Sequence, residues 1–541
     1  APDSTEQQAA VQNVKDQDGF NWGYDPWHFL APEGSYAVNA DDRIREYRAM
    51  VMGLHRAGLR VILDQVFNHT SAAGQDPKSV FDQIVPNYYY RLNADGQIFS
   101  GSCCPDTASE HRMMEKLMID ALVTWAKQYK IDGFRFDIMS FHSVPTMQRI
   151  QQALRQLTLQ KDGVDGSKIY LYGEGFNFGE VANNAFFVNA SQVNLYGNGI
   201  GSFNDRIRDG VRGGNPFGDL REQGFATGLF TDPNPNFSIG DQSAQKARLL
   251  HETDWVRVGL AGNLRDFQFT DSNGNTVTGA QVDYQGQPTG YGATPIESIN
   301  YASVHDNQTL FDAVQLKSPL ADSLDQRVRR QKLAMSVIAL GQGVPFFLAG
   351  DDLLRSKSMD KNSYNSGDWF NRLEFTYQSN NWGVGLPIQT DNGPDWPIEQ
   401  PLLADGAIRP GPNEIASSRE WFQELLRIRN SSSLFRMGTL AEIQANLQFL
   451  NTGPSQIPGL IVMKLQRPHA ETVVVVFNAS TQTQTFQNDA LKNLNLQLHS
   501  VLRQSSDSIV KQSTYASSGA ITVPALTTAV FVSREFREDE D

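Results

Sequence analysis

Two cysteines, Cys103 and Cys104, are all that the 541 residues contain, and they are neighbours. No disulfide framework can be drawn from them, so oxidative cross-links do not explain the fold. A bond between adjacent residues would join Cα atoms about 3.8 Å apart, below the usual disulfide range. Two ordinary thiols in a loop are the equal alternative. Long hydrophobic runs are also missing. No stretch reaches the roughly twenty apolar residues of a membrane-spanning helix. The most apolar one, "LAMSVIALGQGVPFFLAG", is interrupted by Gly341, Gly343 and Pro345 and reads as a helix, a turn and a buried strand. Positive charge is in deficit, since 46 Lys and Arg against 60 Asp and Glu give a formal net charge of −14. That balance argues against nucleic acid or an anionic membrane as partner and suits a neutral substrate. "APDSTEQQAA" has neither the basic start nor the apolar core of an export signal, so a mature or trimmed product is expected.

What the chain does have is a recurring unit, an amphipathic helical stretch followed by a short apolar strand with polar residues at its end. "RIREYRAMVMGLHRAG" runs into "LRVILDQVFNH", "HRMMEKLMIDALVTWAKQYK" into "IDGFRFDIM", and "RRQKLAMSVIALGQG" into "VPFFLAGDDLLR". Helix alternating with strand at this spacing predicts an α/β fold with a parallel sheet and helical crossovers. Strands are expected near residues 60, 133, 170, 194, 301 and 346, enough for most of a β/α barrel. After "SSREWFQELLRIRN" the pattern becomes "GLIVMKLQ", "TVVVVFNAS" and "AITVPALTTAVFVS", which reads as a small antiparallel β-sandwich. The expected domains are a tail over 1–20, a barrel over 21–435, a sandwich over 436–536 and a charged tail over 537–541.

In a β/α barrel the chemistry collects at the carboxyl ends of the strands. The polar residues there are Asp64, Asn68 and His69, then Arg135 and Asp137, then Glu174, then His305, Asp306 and Asn307. In "GFRFDIM" a period of two puts Phe134, Phe136 and Ile138 on one face and Arg135 with Asp137 on the other. A structural ion pair would explain that pairing. So would a guanidinium that keeps a catalytic carboxylate ionised. Each residue alone has an ordinary reading; carboxylates at the same end of so many strands do not. Several carboxylates facing one cavity suit glycoside hydrolysis, which needs one ionised carboxylate and one protonated acid across the scissile bond. Asp137 beside Arg135 is expected to stay ionised. Glu174 has no neighbouring cation in sequence, and Gly173 and Gly175 would let substrate approach, so it is the expected proton donor. Asp306, next to His305, could hold sugar hydroxyls and steady a positive ring. A metal reading is weaker, because no H-E-x-x-H or C-x-x-C spacing occurs. Calcium held by loop oxygens is compatible with the many Asp and Asn.

"DQVFNH", "GFRFDIM", "YGEG" and "VHDNQ", in that order, resemble the four signature regions of the α-amylase superfamily, glycoside hydrolase family 13. "NWGYDPWHFLAPEGSYA", "CCPDTASEHRM", "SFNDRIRDGVRGGNPF" and "LLRSKSMDKNSYNSGDWFNRL" are similar to bacterial pullulanases and limit dextrinases, from about residue 20 to the C-terminal sheet. The resemblance implies a (β/α)8-type barrel and a retaining hydrolase of α-1,6 branch linkages in pullulan and dextrins. It implies Asp137 as nucleophile, Glu174 as acid/base and Asp306 as transition-state stabiliser. Arg135, His69 and His305 match residues contacting the sugar at the cleavage point, with Tyr24 stacking beneath it. Asp64 joins the expected substrate contacts, and Phe178, Phe203, Asp368 and Asn371 match positions that bind neighbouring sugars. No cofactor is implied for the chemistry; a structural calcium is compatible with it. The implied partner is an α-glucan, the implied form a monomer at full length, and the implied location secreted, periplasmic or at a bacterial surface.

Two departures stand out. Phe176 follows "GEG" where the family has tryptophan, losing an indole donor. The family's first two barrel strands would precede residue 20, so a fragment is expected, inactive by itself. The alternatives are an α-1,4-acting amylase or glucanotransferase of the same superfamily, and a piece that only binds carbohydrate.

Overall fold

The computed structural model describes residues 1–468 and 470–533. The charged tail expected over 537–541, and residues 534–536 of the expected sandwich, lie outside the described residues. The chain separates into two compact units, one spanning Gly23–Phe203 and the other combining Ala1–Trp22 with the residues from Asn204 onward.

In Gly23–Phe203, helices and strands alternate as the periodicity predicts. α1 (Arg43–Arg56) leads to β1 (Ile62–Gln65), α2 (Arg112–Tyr129) to β2 (Gly133–Phe136), and α3 (Val144–Arg155) to β3 (Tyr170–Gly173). β4 (Gly201–Asn204) brings the chain to the end of the unit. β1 pairs with β2, β2 with β3 and β3 with β4, every pair parallel. α2 buries Met114, Met118, Leu122, Trp125 and Tyr129, a stripe at three- and four-residue spacing. α3 starts where the Ser143 side chain accepts the Thr146 N–H, with Pro145 in the first turn. The α2 stripe packs in one core with Phe134, Phe136 and Leu171 from the sheet. Burial of such a phenylalanine is worth about 3–5 kcal/mol against alanine. This core fixes the strands, and so fixes where their ends point.

The strand expected near residue 194 falls instead at Gly201–Asn204. Asn194 donates its side-chain amide to the Asn189 carbonyl at 2.9 Å and to Asn184 at 2.8 Å. Such asparagine contacts satisfy turn backbone locally and compete with a ladder.

In the other unit, Glu6–Val14 is helical where a tail is expected. Its N-terminal side is pinned by backbone bonds from Gly385 to Pro2 and from Leu386 to Ser4, at 3.1 and 2.9 Å. α4 (Asp205–Arg212), α5 (Gln242–Leu260), β5 (Ser298–Asn300), α6 (Leu310–Lys317), α7 (Leu324–Leu340), β6 (Val344–Pro345) and α8 (Pro412–Ser431) follow, with β5 and β6 parallel. The C-terminal strands are β7 (Leu447–Phe449), β8 (Leu460–Gln466), β9 (Thr472–Asn478), β10 (Gln484–Gln487), β11 (Gln497–Leu498), β12 (Thr514–Ala516), β13 (Ala520–Val523) and β14 (Thr527–Val532). They form a five-stranded antiparallel sheet ordered β7-β8-β9-β14-β11 and a three-stranded one ordered β10-β13-β12. Every residue of β9 is buried. The reason is that Val475 and Phe531 share one core with Val337 and Leu340 of α7 and Trp421 and Ile428 of α8. The C-terminal sheets therefore have no core separate from the helices. Arg257 of α5 adds a polar tie, donating to the Asn451 carbonyl and to Gln456 Oε1, both at 2.6 Å. Among the described residues no helix is long and apolar enough to cross a membrane.

Candidate active site

The parallel register sets Asp64, Arg135 and Tyr172 side by side across β1, β2 and β3. Arg135 is only 6% exposed, and its guanidinium gathers what the strands present. Nη1 lies 2.8 Å from Asp64 Oδ1 and 3.2 Å from Asp137 Oδ1, while Nη2 lies 3.1 Å from Glu174 Oε2. Nη1 also donates to the Tyr24 hydroxyl at 3.2 Å, and that hydroxyl donates to Asp64 Oδ2. Burial opposes the charge on Arg135; Asp64, Glu174, Tyr24 and Asp137 outweigh it and hold its pKa well above the ordinary value. Burial, with Asp64 beside it, likewise raises the Tyr24 hydroxyl well above its usual range.

Asp137 and Glu174 each follow the last residue of a strand, and each is oriented by backbone. The Asp137 N–H donates to the Gln65 carbonyl at 2.9 Å, and the Glu174 N–H to the Phe136 carbonyl at 3.1 Å. Asn68 donates its side-chain amide to Asp137 Oδ2 at 2.8 Å and to the Asp137 carbonyl at 2.9 Å. Glu174 Oε2 accepts the Ile138 N–H at 2.8 Å. That bond explains a departure from the strand pattern. Ile138 does not extend β2; its φ is +39°, a left-handed conformation that a β-branched residue rarely adopts. The turn aims the Ile138 N–H at Glu174, a local strain kept at the site.

Glu174 has no neighbouring cation in sequence, but the fold supplies one through the Arg135 Nη2 contact. Sequence adjacency could not reveal it, because β2 and β3 lie 37 residues apart in register, Gly133 against Tyr170. The flanking glycines also serve another purpose than substrate access. A Cβ on Gly173 would lie 2.4 Å from the Phe136 carbonyl, and one on Gly175 would lie 2.9 Å from the Gln192 nitrogen. Both are required by backbone packing. Gly173→Ala is expected to cost about 1–3 kcal/mol, read as a lower urea midpoint at unchanged m-value; an unshifted midpoint would show that β3 moves freely.

Of the other residues expected in this unit, Tyr24 and Phe203 fall around the same guanidinium. The Arg135 side chain lies 5.4 Å from the Tyr24 ring and 5.9 Å from the Phe203 ring. Phe203 is buried at 4% exposure and backs the guanidinium. Phe178 is 39% exposed and packs on Phe141 at 5.2 Å between ring centres. His69 is buried, with Nδ1 2.6 Å from Asn68 Oδ1 and Nε2 2.9 Å from the Tyr24 carbonyl oxygen. Cys103 and Cys104, left open between thiols and a bond, are disulfide-bonded.

In the other unit, His305 and Asp306 form a half-exposed pair with 3.6 Å between Nε2 and Oδ2. Trp22 meets the His305 ring edge-to-face at 4.9 Å, and Lys357 donates to the His305 carbonyl at 2.8 Å. Burial lowers the Lys357 pKa to about 8. Asp368 accepts from Asn21 at 3.3 Å. Asn371 is engaged within its own loop, donating to the Ser363 and Gly367 carbonyls and accepting from Ser363 Oγ. Asn68, Trp22 and Lys357 are the contributors that the sequence reading does not assign. "DQVFNH" carries Asn68 in plain sight, whereas nothing local marks Trp22 or Lys357.

Among the described residues, His69, Cys103 and Cys104 form the one group of three acidic, imidazole or thiol side chains whose ligand atoms all lie within 4.8 Å of one another. Sulfur donors do not suit calcium, so this set does not fit the calcium compatible with the sequence.

Parallel strands with acidic residues at their carboxyl ends, arranged about one arginine, fit the α-amylase superfamily that the sequence motifs resemble. Comparison with known proteins sharpens this. The family described as "Alpha-1,6-glucosidases, pullulanase-type, C-terminal" matches residues 377–534. The chain is 49% identical to "Pullulanase 1, chloroplastic" of Arabidopsis thaliana, over 98% of this chain and 57% of that protein. It is 40% identical to a pullulanase of Klebsiella pneumoniae, over 98% of this chain and 48% of that protein. The crystal structure of Klebsiella pneumoniae pullulanase complexed with maltotriose superposes with a TM-score of 0.91 at 39% identity, covering 98% of this chain and 51% of that one. Over nearly its whole length the chain is similar to these pullulanases. It spans about half the length of the curated relatives it matches.

Proposed function

We propose that the chain carries the catalytic machinery of a starch-debranching hydrolase that cleaves α-1,6-glucosidic bonds in pullulan and branched dextrins with retention. The observation that carries this is the shared guanidinium, since Asp137 and Glu174 both contact Arg135, at 3.2 and 3.1 Å. Retaining chemistry needs its two carboxyl groups about 5–5.5 Å apart, and a shared guanidinium that holds both side chains on one cation supports that reading. Asp137 is the nucleophile, paired with Arg135 and aimed by the Asn68 amide. Glu174 protonates the departing oxygen and then activates water. Substrate entering between them would displace part of the Arg135 contact, leaving Glu174 with the Ile138 N–H as its orienting partner. Asp306 stabilises the oxocarbenium-like sugar, with His305 beside it. Tyr24, Asp64 and His69 hold the sugar at the point of cleavage, and Phe178, Phe203, Asp368 and Asn371 serve its neighbours. The parallel strands belong to a (β/α)8-type barrel, and no cofactor takes part in bond cleavage.

Substrate choice is supported by the relatives: one crystal structure is that of a pullulanase complexed with maltotriose. The test is digestion of pullulan and of linear amylose by the 541-residue chain and by the longest reading frame that contains it. Maltotriose from pullulan with amylose left intact is the expected result for the longer frame, with the 541-residue chain inactive by itself. Maltose and shorter products from amylose would instead identify an α-1,4-acting enzyme.

A further inference from the structure

We propose that the reduced Cys103–Cys104 pair and His69 make a binding site for one soft divalent cation, zinc or cadmium, at the edge of the carboxylate cluster. Both cysteine sulfurs and a ring nitrogen of His69 lie within 4.8 Å of one another, and Cys103 Sγ is 3.9 Å from His69 Nε2. Two thiolates and an imidazole are the donors that zinc takes in three-ligand sites with an open fourth position. The loop that carries the sulfurs is tied to the segment that carries the histidine. Thr107 N–H donates to the Asn68 carbonyl at 2.9 Å and Thr70 N–H to the Pro105 carbonyl at 3.2 Å. Asp106 fastens the same loop from within, accepting from Ser102 Oγ and from the Gly101 N–H.

Both ring nitrogens of His69 face acceptor oxygens, and a cation at Nε2 suits the tautomer protonated on Nδ1. Asn68 spends both amide protons on Asp137, so its Oδ1 is an acceptor facing His69 Nδ1 at 2.6 Å. A proton on Nδ1 fills that contact and leaves the lone pair on Nε2, the nitrogen nearest the sulfurs. In the neutral ring that lone pair also faces the Tyr24 carbonyl oxygen at 2.9 Å, two acceptors without a proton between them. A cation held by the sulfurs would relieve this contact.

Opening the site needs a dithiol reductant. Its thiolate attacks the exposed Cys103 sulfur, the S–S bond breaks, and Cys104 leaves as thiolate and takes up a proton. The reductant's second thiol then closes its own disulfide and releases Cys103. Two electrons and two protons pass to the protein, and metal binding returns the two protons to solvent. On the proposed function, a cation here would draw His69 from the sugar position and, through Asn68, disturb the Asp137 carboxylate.

The experiment treats the chain with dithiothreitol, removes the reductant without oxygen, and titrates with cadmium while recording the ultraviolet thiolate-to-cadmium absorption. One cadmium per chain after reduction, and no absorption before it, is the expected result. Cys104→Ser and His69→Gln should each weaken binding about 100-fold. No absorption after reduction would overturn the site, as would affinity unchanged in His69→Gln. Circular dichroism shows whether each variant is folded, and Cys103→Ser serves in place of one that is not. Binding is read without turnover, so failure of the debranching assignment leaves this result standing. Where turnover is measurable, zinc should abolish it only in reduced protein and a chelator restore it; full activity with zinc bound would refute the link to Asp137.

Discussion

Asp137→Asn is expected to lower turnover of an α-1,6-linked glucan by on the order of 10⁴-fold while leaving the melting temperature unchanged or slightly higher. The two effects follow from the same contacts. Asp64, Asp137 and Glu174 all lean on the single cation of Arg135, so the cluster carries more negative charge than positive. Removing one buried carboxylate lessens that repulsion, and the asparagine carbonyl can still accept from Arg135. Chemistry does not survive the change. An amide oxygen cannot form the glycosyl ester that retention requires, and no other carboxylate receives the Asn68 amide, which holds Asp137 at 2.8 Å. Melting and pullulan hydrolysis measured on the same preparations decide it. Undiminished hydrolysis would remove Asp137 from its role. A large fall in melting temperature would make its contribution structural, the ion pair that "GFRFDIM" also allows.

That ambiguity shows how much of the site the sequence carries. Strand period and strand-end placement make Asp64, Arg135, Asp137 and Glu174 legible, because a two-residue repeat needs no tertiary information. What stays hidden is set by neighbours in space. Arg135 beside Asp137 is visible in sequence, but the same guanidinium on Glu174 comes from the parallel register of β2 with β3. Gly173 and Gly175 look like an opening for substrate, yet each is fixed by an approach of backbone that no local pattern encodes. Ile138 reads as a third buried strand residue, and it turns left-handed to serve Glu174. The strand near 194 fails for the opposite reason, since asparagine side chains satisfy the backbone there before a ladder can. At the C-terminal end the alternation reads as a small antiparallel sandwich, and β9 is buried throughout because helices α7 and α8 share its core.

Glu399→Gln should flatten the pH dependence of stability and raise the melting temperature at pH 8 by about 5 °C or more. Glu399 is fully buried, and neither carboxyl oxygen has a hydrogen-bond partner among the described residues. Burial, with Asp395 and Asp360 adding negative charge nearby, raises its pKa from 4.5 to about 9. The folded protein therefore keeps this proton to about pH 9, whereas the unfolded chain releases it above about pH 4.5. Its contribution is complete below the unfolded value and is lost as pH climbs through this window, because unfolding then liberates a proton. At about 1.4 kcal/mol per unit, the loss by pH 8 is roughly 3–5 kcal/mol, and each kcal/mol moves the midpoint of a large domain by about 2 °C. Glutamine has no proton to release, so variant and parent should coincide near pH 4.5 and separate steadily toward pH 9. Lys361, paired with Asp395 at 2.7 Å, is common to both proteins and cannot produce the divergence. Parallel melting curves from pH 4.5 to 9 would mean that Glu399 already ionises in the fold, and that Lys361 reaches it.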